Sequence, residues 1–207
     1  MFKDMVIKNR SYRRFDESKR ISSEQLRELI DIGRLVPSGG NGQPLRYILV
    51  HSEEKCAEVF PTLMWAAYLK DWDGPAPGER PVAYIIILSP AGQNTAYDEG
   101  IAGQTILLAA AERGMGGCFI GSVNRAKLAE IIPVTNGCGV TKGCGVTNGY
   151  GVPEGYGIKL VIALGYPKEE IVLEDVSAGD DIKYYRDHNQ VHHVPKIKLD
   201  DMILTEL

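Results

Sequence analysis

The sequence predicts a layered α and β domain built around a buried sheet. Three observations carry this: a capping-box pattern, Ser22-Ser23-Glu24-Gln25, opens an amphipathic helical period; the run VAYIIIL at 82–88 has no polar alternation, as in a strand buried on both faces; and helical and strand patterns alternate along the chain.

In order, residues 9–15, NRSYRRF, place three guanidiniums and a hydroxyl at the end of a first helix. Such donors suit an anion, and a solvated basic turn is the plain alternative. After the Ser22 cap, Leu26, Leu29, Ile30 and Gly33 follow at helical spacing until Pro37 forbids continuation. Residues 37–44, PSGGNGQP, form a turn-rich loop. Its mobile backbone and two amides could grip a heterocycle through alternating donors and acceptors, although a plain helix-to-strand connection reads the same way. RYILVH at 46–51 is a β-run, and SEEKCAEVF returns to helical composition.

WDGPAPGERP at 72–81, with three prolines and two glycines, is a loop feeding the strand at 82–88. Residues 98–113, DEGIAGQTILLAAAER, form a helix with an acidic first turn and Gly114 as its stop signal. This helix is too apolar for a surface and belongs in the core or against another subunit. GGCFIGS reads as a short strand, NRAKLAEII as a helix opened by Asn124, and IKLVIALGYP from Ile158 as another buried strand; the tail from Tyr184 is polar with one cationic cluster. One sheet is expected.

Residues 134–157 consist of four V-x-x-G-x-G hexads with Cys138, Cys144, Tyr150 and Tyr156 at the fifth place. A hexapeptide β-helix needs several coils before it buries a core, so a loop or hairpin fits better. The C-x5-C spacing lacks partner ligands for a metal, and no G-K-[ST] accompanies the glycines as a phosphate loop requires.

The 207 residues suit one domain or one subunit of a small oligomer, and 44% hydrophobic content allows a core. A net charge of -4 excludes a sequence-wide basic field for nucleic acid or an anionic membrane, so an anionic ligand must be met by local cations. No apolar signal region opens the chain and no apolar run is long enough to span a bilayer, which gives a cytoplasmic reading. The four cysteines are then thiols, and Cys118 is a buried structural one. His188, His192 and His193 lack carboxylate support for a metal and read as a surface strand. Trp65, Tyr68 and Trp72 are open between a substrate lid, core packing and a dimer contact.

Together, R-S-x-R-x-F at 10–15 and P-S-x-x-N-x-Q-P at 37–44 resemble the nitroreductase family of FMN-dependent enzymes. The resemblance continues through D-x-G-x-A-x-Q-x-x-L-L-A-A-x-x-x-G-x-G at 98–116, C-F-I-G-S at 118–122 and H-x-V-P-K-I-K at 192–198, and so covers most of the chain. It implies a nitroreductase-like α/β (α+β) fold over 1–207, with a central, mostly antiparallel or mixed sheet flanked by helices in three layers. The hexads at about 134–151 would then be an insertion and a tandem expansion of a V-P-E-G-Y loop, removable without loss of flavin or activity. It also implies an intertwined homodimer with two FMN sites at its interface. Arg10, Ser11 and Arg13 would come from one subunit, Arg13 near the N1 and O2 edge of the flavin and Ser11 toward the ribityl and phosphate. Pro37, Ser38, Gly39 and Asn41 would come from the other, near the ring, and Lys196 and Lys198 would reach the phosphate.

In the family a backbone N–H from the segment matching Ile120, Gly121 and Ser122 faces flavin N5, so the backbone of Gly121 stands in the catalytic place and no side chain does. The implied reaction passes hydride from NADH or NADPH through N5 to a small acceptor such as a nitroaromatic or quinone, in a ping-pong scheme. No Rossmann fingerprint indicates which nicotinamide is used. Two departures stand out: Gly121 replaces a glutamate found in many members, and Asn9 an arginine, with Arg10 and Arg14 as candidates to compensate. Alternatives are a flavin-binding or storage protein without turnover, and a relative performing reductive dehalogenation or flavin fragmentation.

Overall fold

The computed structural model describes residues 1–132, 152 and 154–207. The hexads at 134–151, with Cys138 and Cys144, lie outside the described residues. Seven strands and six α-helices run in the order α1 (Phe2–Lys8), α2 (Ser23–Gly33), β1 (Arg46–Val50), α3 (Glu53–Val59), β2 (Ala83–Pro90), α4 (Ala96–Glu112), β3 (Gly116–Ile120), α5 (Arg125–Ile131), β4 (Tyr156–Gly165), β5 (Ile171–Val176), β6 (Tyr185–Arg186), β7 (His192–Ile197) and α6 (Leu199–Met202), counted among the described residues.

The capping box opens α2 as expected: the Ser22 hydroxyl accepts from the Gln25 N–H at 3.3 Å, and the Gln25 side chain accepts from the Ser22 N–H at 2.9 Å. Four strands form an antiparallel sheet in the order β1-β2-β4-β3. The central β2 is buried along nearly its whole length, and its side chains divide between the two faces. Tyr84, Ile86 and Leu88 join β4's Val161 and Ala163 under α3 and α5, while Ala83, Ile85 and Ile87 join Ile162 and Leu164 under α2 and α4. The sheet is therefore sandwiched between two helical layers, which is why these strands read as continuous apolar runs. Helices α2 and α4 approach closely at Gly33, where a Cβ would stand 2.7 Å from the Ile106 side chain.

The expectation of one sheet needs correcting. A second sheet, in the order β5-β7-β6, follows β4; β5 and β7 are parallel and β6 is antiparallel to β7. Its strands are short and mostly half-buried, and the longest apolar run among them, Ile171 to Leu173, is too brief to stand out as the runs of β2 and β4 do. Both tryptophans belong to the packing: Trp65 is buried against Phe60, and Trp72 packs on the same core, so neither forms a lid. Among the described residues no helix is long and apolar enough to cross a membrane.

Candidate active site

The segment after α1 is laid along the sheet edge. Tyr12 donates its N–H to the Gly117 carbonyl at 3.1 Å, which sets Ser11 beside β3 in a parallel bridge. Phe15 is fully buried and lies on Gly165, where a Cβ would come within 2.7 Å of its ring. Arg14 is committed elsewhere: its guanidinium meets both oxygens of Glu79 at 2.7 Å, which raises its own pKa and holds the Glu79 carboxyl below the usual range. It is thus no substitute for the arginine missing at Asn9.

Asn9, Arg10, Ser11 and Arg13 form one wall of an open cleft. Gln104 and Leu107 of α4 and Phe119 of β3 contribute further lining, and Tyr184, His192 and Lys196 close it from the tail. Phe119 reaches the cleft because Gly103 leaves room for its ring; a Cβ there would be 2.4 Å away. Arg13 is oriented from several sides. Its Nη1 donates to the Ser11 carbonyl at 3.2 Å, its guanidinium lies 4.9 Å from the Tyr184 ring centre, and Nη1 stands 3.5 Å from His192 Nε2.

His192 is 2% exposed, and burial, reinforced by Arg13 and Arg186, holds its pKa down to about 4. The imidazole is therefore neutral; with Nε2 facing a guanidinium, the proton belongs on Nδ1, a buried atom with no hydrogen-bond partner among the described residues. Arg10 donates to the Val6 carbonyl at 2.5 Å, and its Nε is likewise buried without a partner among the described residues. Burial lowers the Arg10 pKa, with Tyr12 opposing, yet a guanidinium remains charged. Three cations, a hydroxyl and an unmet guanidinium N–H beside two aromatic rings fit an anionic phosphate ester joined to a flat heterocycle. Arg10, Ser11 and Lys196 would hold the phosphate end, and Arg13 the ring.

The structure separates this group from the loop at 37–44. Pro37, Ser38 and Gly39 line a second pocket with Tyr97, Asp98 and Ile101 at the start of α4, and no described residue lines both pockets. Gly39 donates its N–H to Asp98 at 3.3 Å, and Ser38 Oγ accepts from the Gln43 N–H at 3.0 Å. Asn41 is exposed in the left-handed region at φ 55° and lines neither pocket. Lys198 is exposed at the entrance of α6 and is also outside the cleft lining. Ile120 is buried at the end of β3, followed by exposed Gly121 and Ser122, whose carbonyls accept from Arg125 at 3.2 Å and from the Met64 N–H at 3.0 Å. A Cβ at Gly121 would meet nothing among the described residues within 4 Å, which leaves open the space of the missing glutamate.

Sequence reasoning did not single out Gln104, Phe119 or Tyr184, and set His192 aside as part of a surface strand. Gln104, Phe119 and His192 were legible within the motifs D-x-G-x-A-x-Q, C-F-I-G-S and H-x-V-P-K-I-K, whereas Tyr184 carries no local signal.

The comparisons agree with this architecture. An Archaeoglobus fulgidus protein named as an NADH dehydrogenase/NAD(P)H nitroreductase is 25% identical over 186 residues, covering 86% of this chain and 90% of its own. The crystal structure of a nitroreductase family protein from Clostridium novyi NT superposes with a TM-score of 0.60 at 19% identity, over 81% of this chain and 87% of that one. Oxidised iodotyrosine deiodinase bound to FMN and 3-iodo-L-tyrosine gives a TM-score of 0.60 at 17% identity, over 91% of this chain and 96% of that one. The nitroreductase family model matches residues 6–166, which take in the end of α1, both helical layers, the whole four-stranded sheet and the first wall of the cleft, and the chain belongs to that family.

Proposed function

We propose that this protein is an FMN-dependent oxidoreductase that takes reducing equivalents from NADH or NADPH and delivers them to a small acceptor such as a nitroaromatic or quinone. The observation that carries the reading is the convergence of Arg10 and Arg13 from one end of the chain with Lys196 from the other on a single cleft. FMN supplies hydride acceptance and donation at its N5. The chain's own part is to bind the phosphate through Arg10, Ser11 and Lys196 and to place a fixed positive charge at Arg13, where negative charge develops on reduction. The backbone at 120–122 would face N5, and Phe119 and Tyr184 would flank the ring.

The active form is a homodimer. Pro37, Ser38, Gly39 and Asn41 would complete the partner's site, which accounts for their separation from Arg13 within one chain. The exposed apolar residues Phe2, Ile7, Tyr97 and Ile101 on the packed pair α1 and α4, and Met202, Ile203 and Leu204 in the tail, supply surface for such an interface.

The test is the visible absorbance of the purified protein, before and after adding NADH or NADPH without oxygen. A flavin spectrum that bleaches supports the reading and names the nicotinamide. A colourless protein that takes up no added FMN sinks it, and bound FMN that neither nicotinamide reduces leaves the storage alternative. The likeness to the deiodinase makes halogenated phenols an acceptor class to screen.

A further inference from the structure

Behind Arg13, on the side away from the cleft, lies a carboxylate that neither motifs nor relatives pointed to. Glu169 follows the last strand of the four-stranded sheet, and its side chain is 1% exposed. One oxygen, Oε1, accepts the backbone N–H of Arg13 and also that of Arg14, the latter at 3.1 Å. The other, Oε2, accepts from Arg186 Nη2 at 3.0 Å. Arg186 is itself 9% exposed in its side chain and lies 4.2 Å from the Trp72 ring centre. A buried pair of this kind is a costly way to gain stability, since desolvation consumes most of the attraction.

The geometry points to another use, and we propose that Glu169 is a positioning residue for the flavin-binding arginine. Two successive peptide N–H groups, one on each side of the Arg13 carbonyl, are gripped by one oxygen, so the local chain direction is set from behind. The Arg13 side chain then leaves toward Tyr184 and His192 with little freedom, and its guanidinium is pre-organised before any ligand arrives. Arg186 holds the carboxylate in the rotamer that grips. Because β6 carries Arg186 and β7 carries His192, the second sheet orients Arg13 at both its backbone and its guanidinium. The inference rests on the flavin reading above.

The test separates the grip from the ion pair by titrating the full-length apoprotein with FMN. Glu169→Gln with Arg186→Met keeps an oxygen for the two N–H groups and removes both charges; Glu169→Ala with Arg186→Met removes the oxygen as well. The first double variant should bind FMN within about threefold of wild type, and the second about tenfold more weakly or worse. In an Arg13→Ala background the difference between the two should vanish, which a purely structural role would not produce. Equal FMN affinity in the two double variants, or a difference that persists without the Arg13 side chain, overturns the inference. A wild-type protein that binds no FMN overturns the flavin reading and this one with it.

Discussion

His192 and Cys118 show how single side chains near the cleft respond to burial. The imidazole titrates near 6.5 when unfolded and about 4 when folded, so between those values the unfolded chain holds the extra proton. Stability is then lost as pH falls through that window and, for this group, is flat on either side. The Tm of wild type minus that of His192→Gln should shrink between about pH 7 and about pH 4, and a constant gap would mean that His192 is not held neutral. Burial pushes the Cys118 thiol up to about 12, so the reactive thiolate is absent at neutral pH. Mass-spectrometric mapping after alkylation at about pH 8 should find Cys118 unmodified in the native protein and modified after denaturation. At this scale, what could be read in the sequence depended on repetition within a family. Arg10, Ser11, Arg13 and Lys196 stand in recognisable motifs and do converge on one cleft. Glu169, Arg186 and Tyr184 are single residues in polar surroundings. The Glu169 grip joins positions 156 residues apart, which no local pattern reports.

Among the elements, β3 and α4 do most to shape the cleft. The narrowest approach among the described glycines is at Gly117, where a Cβ would stand 2.2 Å from the Ala163 carbonyl oxygen. Backbone on the neighbouring strand has no room to yield, and the same glycine accepts the Tyr12 N–H that lays the Arg10–Arg13 segment along the sheet. Gly117→Ala should therefore cost about 1–3 kcal/mol in urea unfolding, whereas Gly121→Ala, with open space around it, should stay within about 0.5 kcal/mol of wild type. Unfolding midpoints that do not separate the two variants would contradict the strand packing. The elements with strong local signals were legible: the Ser22 cap, the apolar β2, and α4 with its acidic first turn and glycine stop. Helix α4 was expected in the core or against a subunit; it buries one face on α2 and the sheet while Tyr97 stays 84% exposed. Strand β6 was illegible because two residues carry no period, and β5 because its apolar run stops at Leu173 and gives way to Glu174 and Asp175.

For the molecule as a whole, the separation of the two pockets predicts what mixed dimers should do. An Arg13→Ala protomer and an Asn41→Ala protomer should each bind FMN poorly. Unfolded together and refolded, they should form a mixed dimer with one intact site, recovering bound flavin that neither parent has. No recovery, or a monomer by light scattering in the FMN-loaded state, would place each site within a single chain. That the loop at 37–44 and the segment at 10–13 stand apart in one chain was legible only through the family resemblance, which assigned them to different subunits, since spatial separation leaves no trace in spacing. The second sheet has one more consequence, in the order of synthesis. The ribosome releases the last strand of the main sheet at Gly165, but the far wall of the cleft is encoded at 184–196. A nascent chain that has reached only Gly165, or one clipped by a protease near residue 180, would carry all four strands of that sheet and only half a cleft, with Arg10 and Arg13 in place and without Tyr184, His192 and Lys196 opposite them.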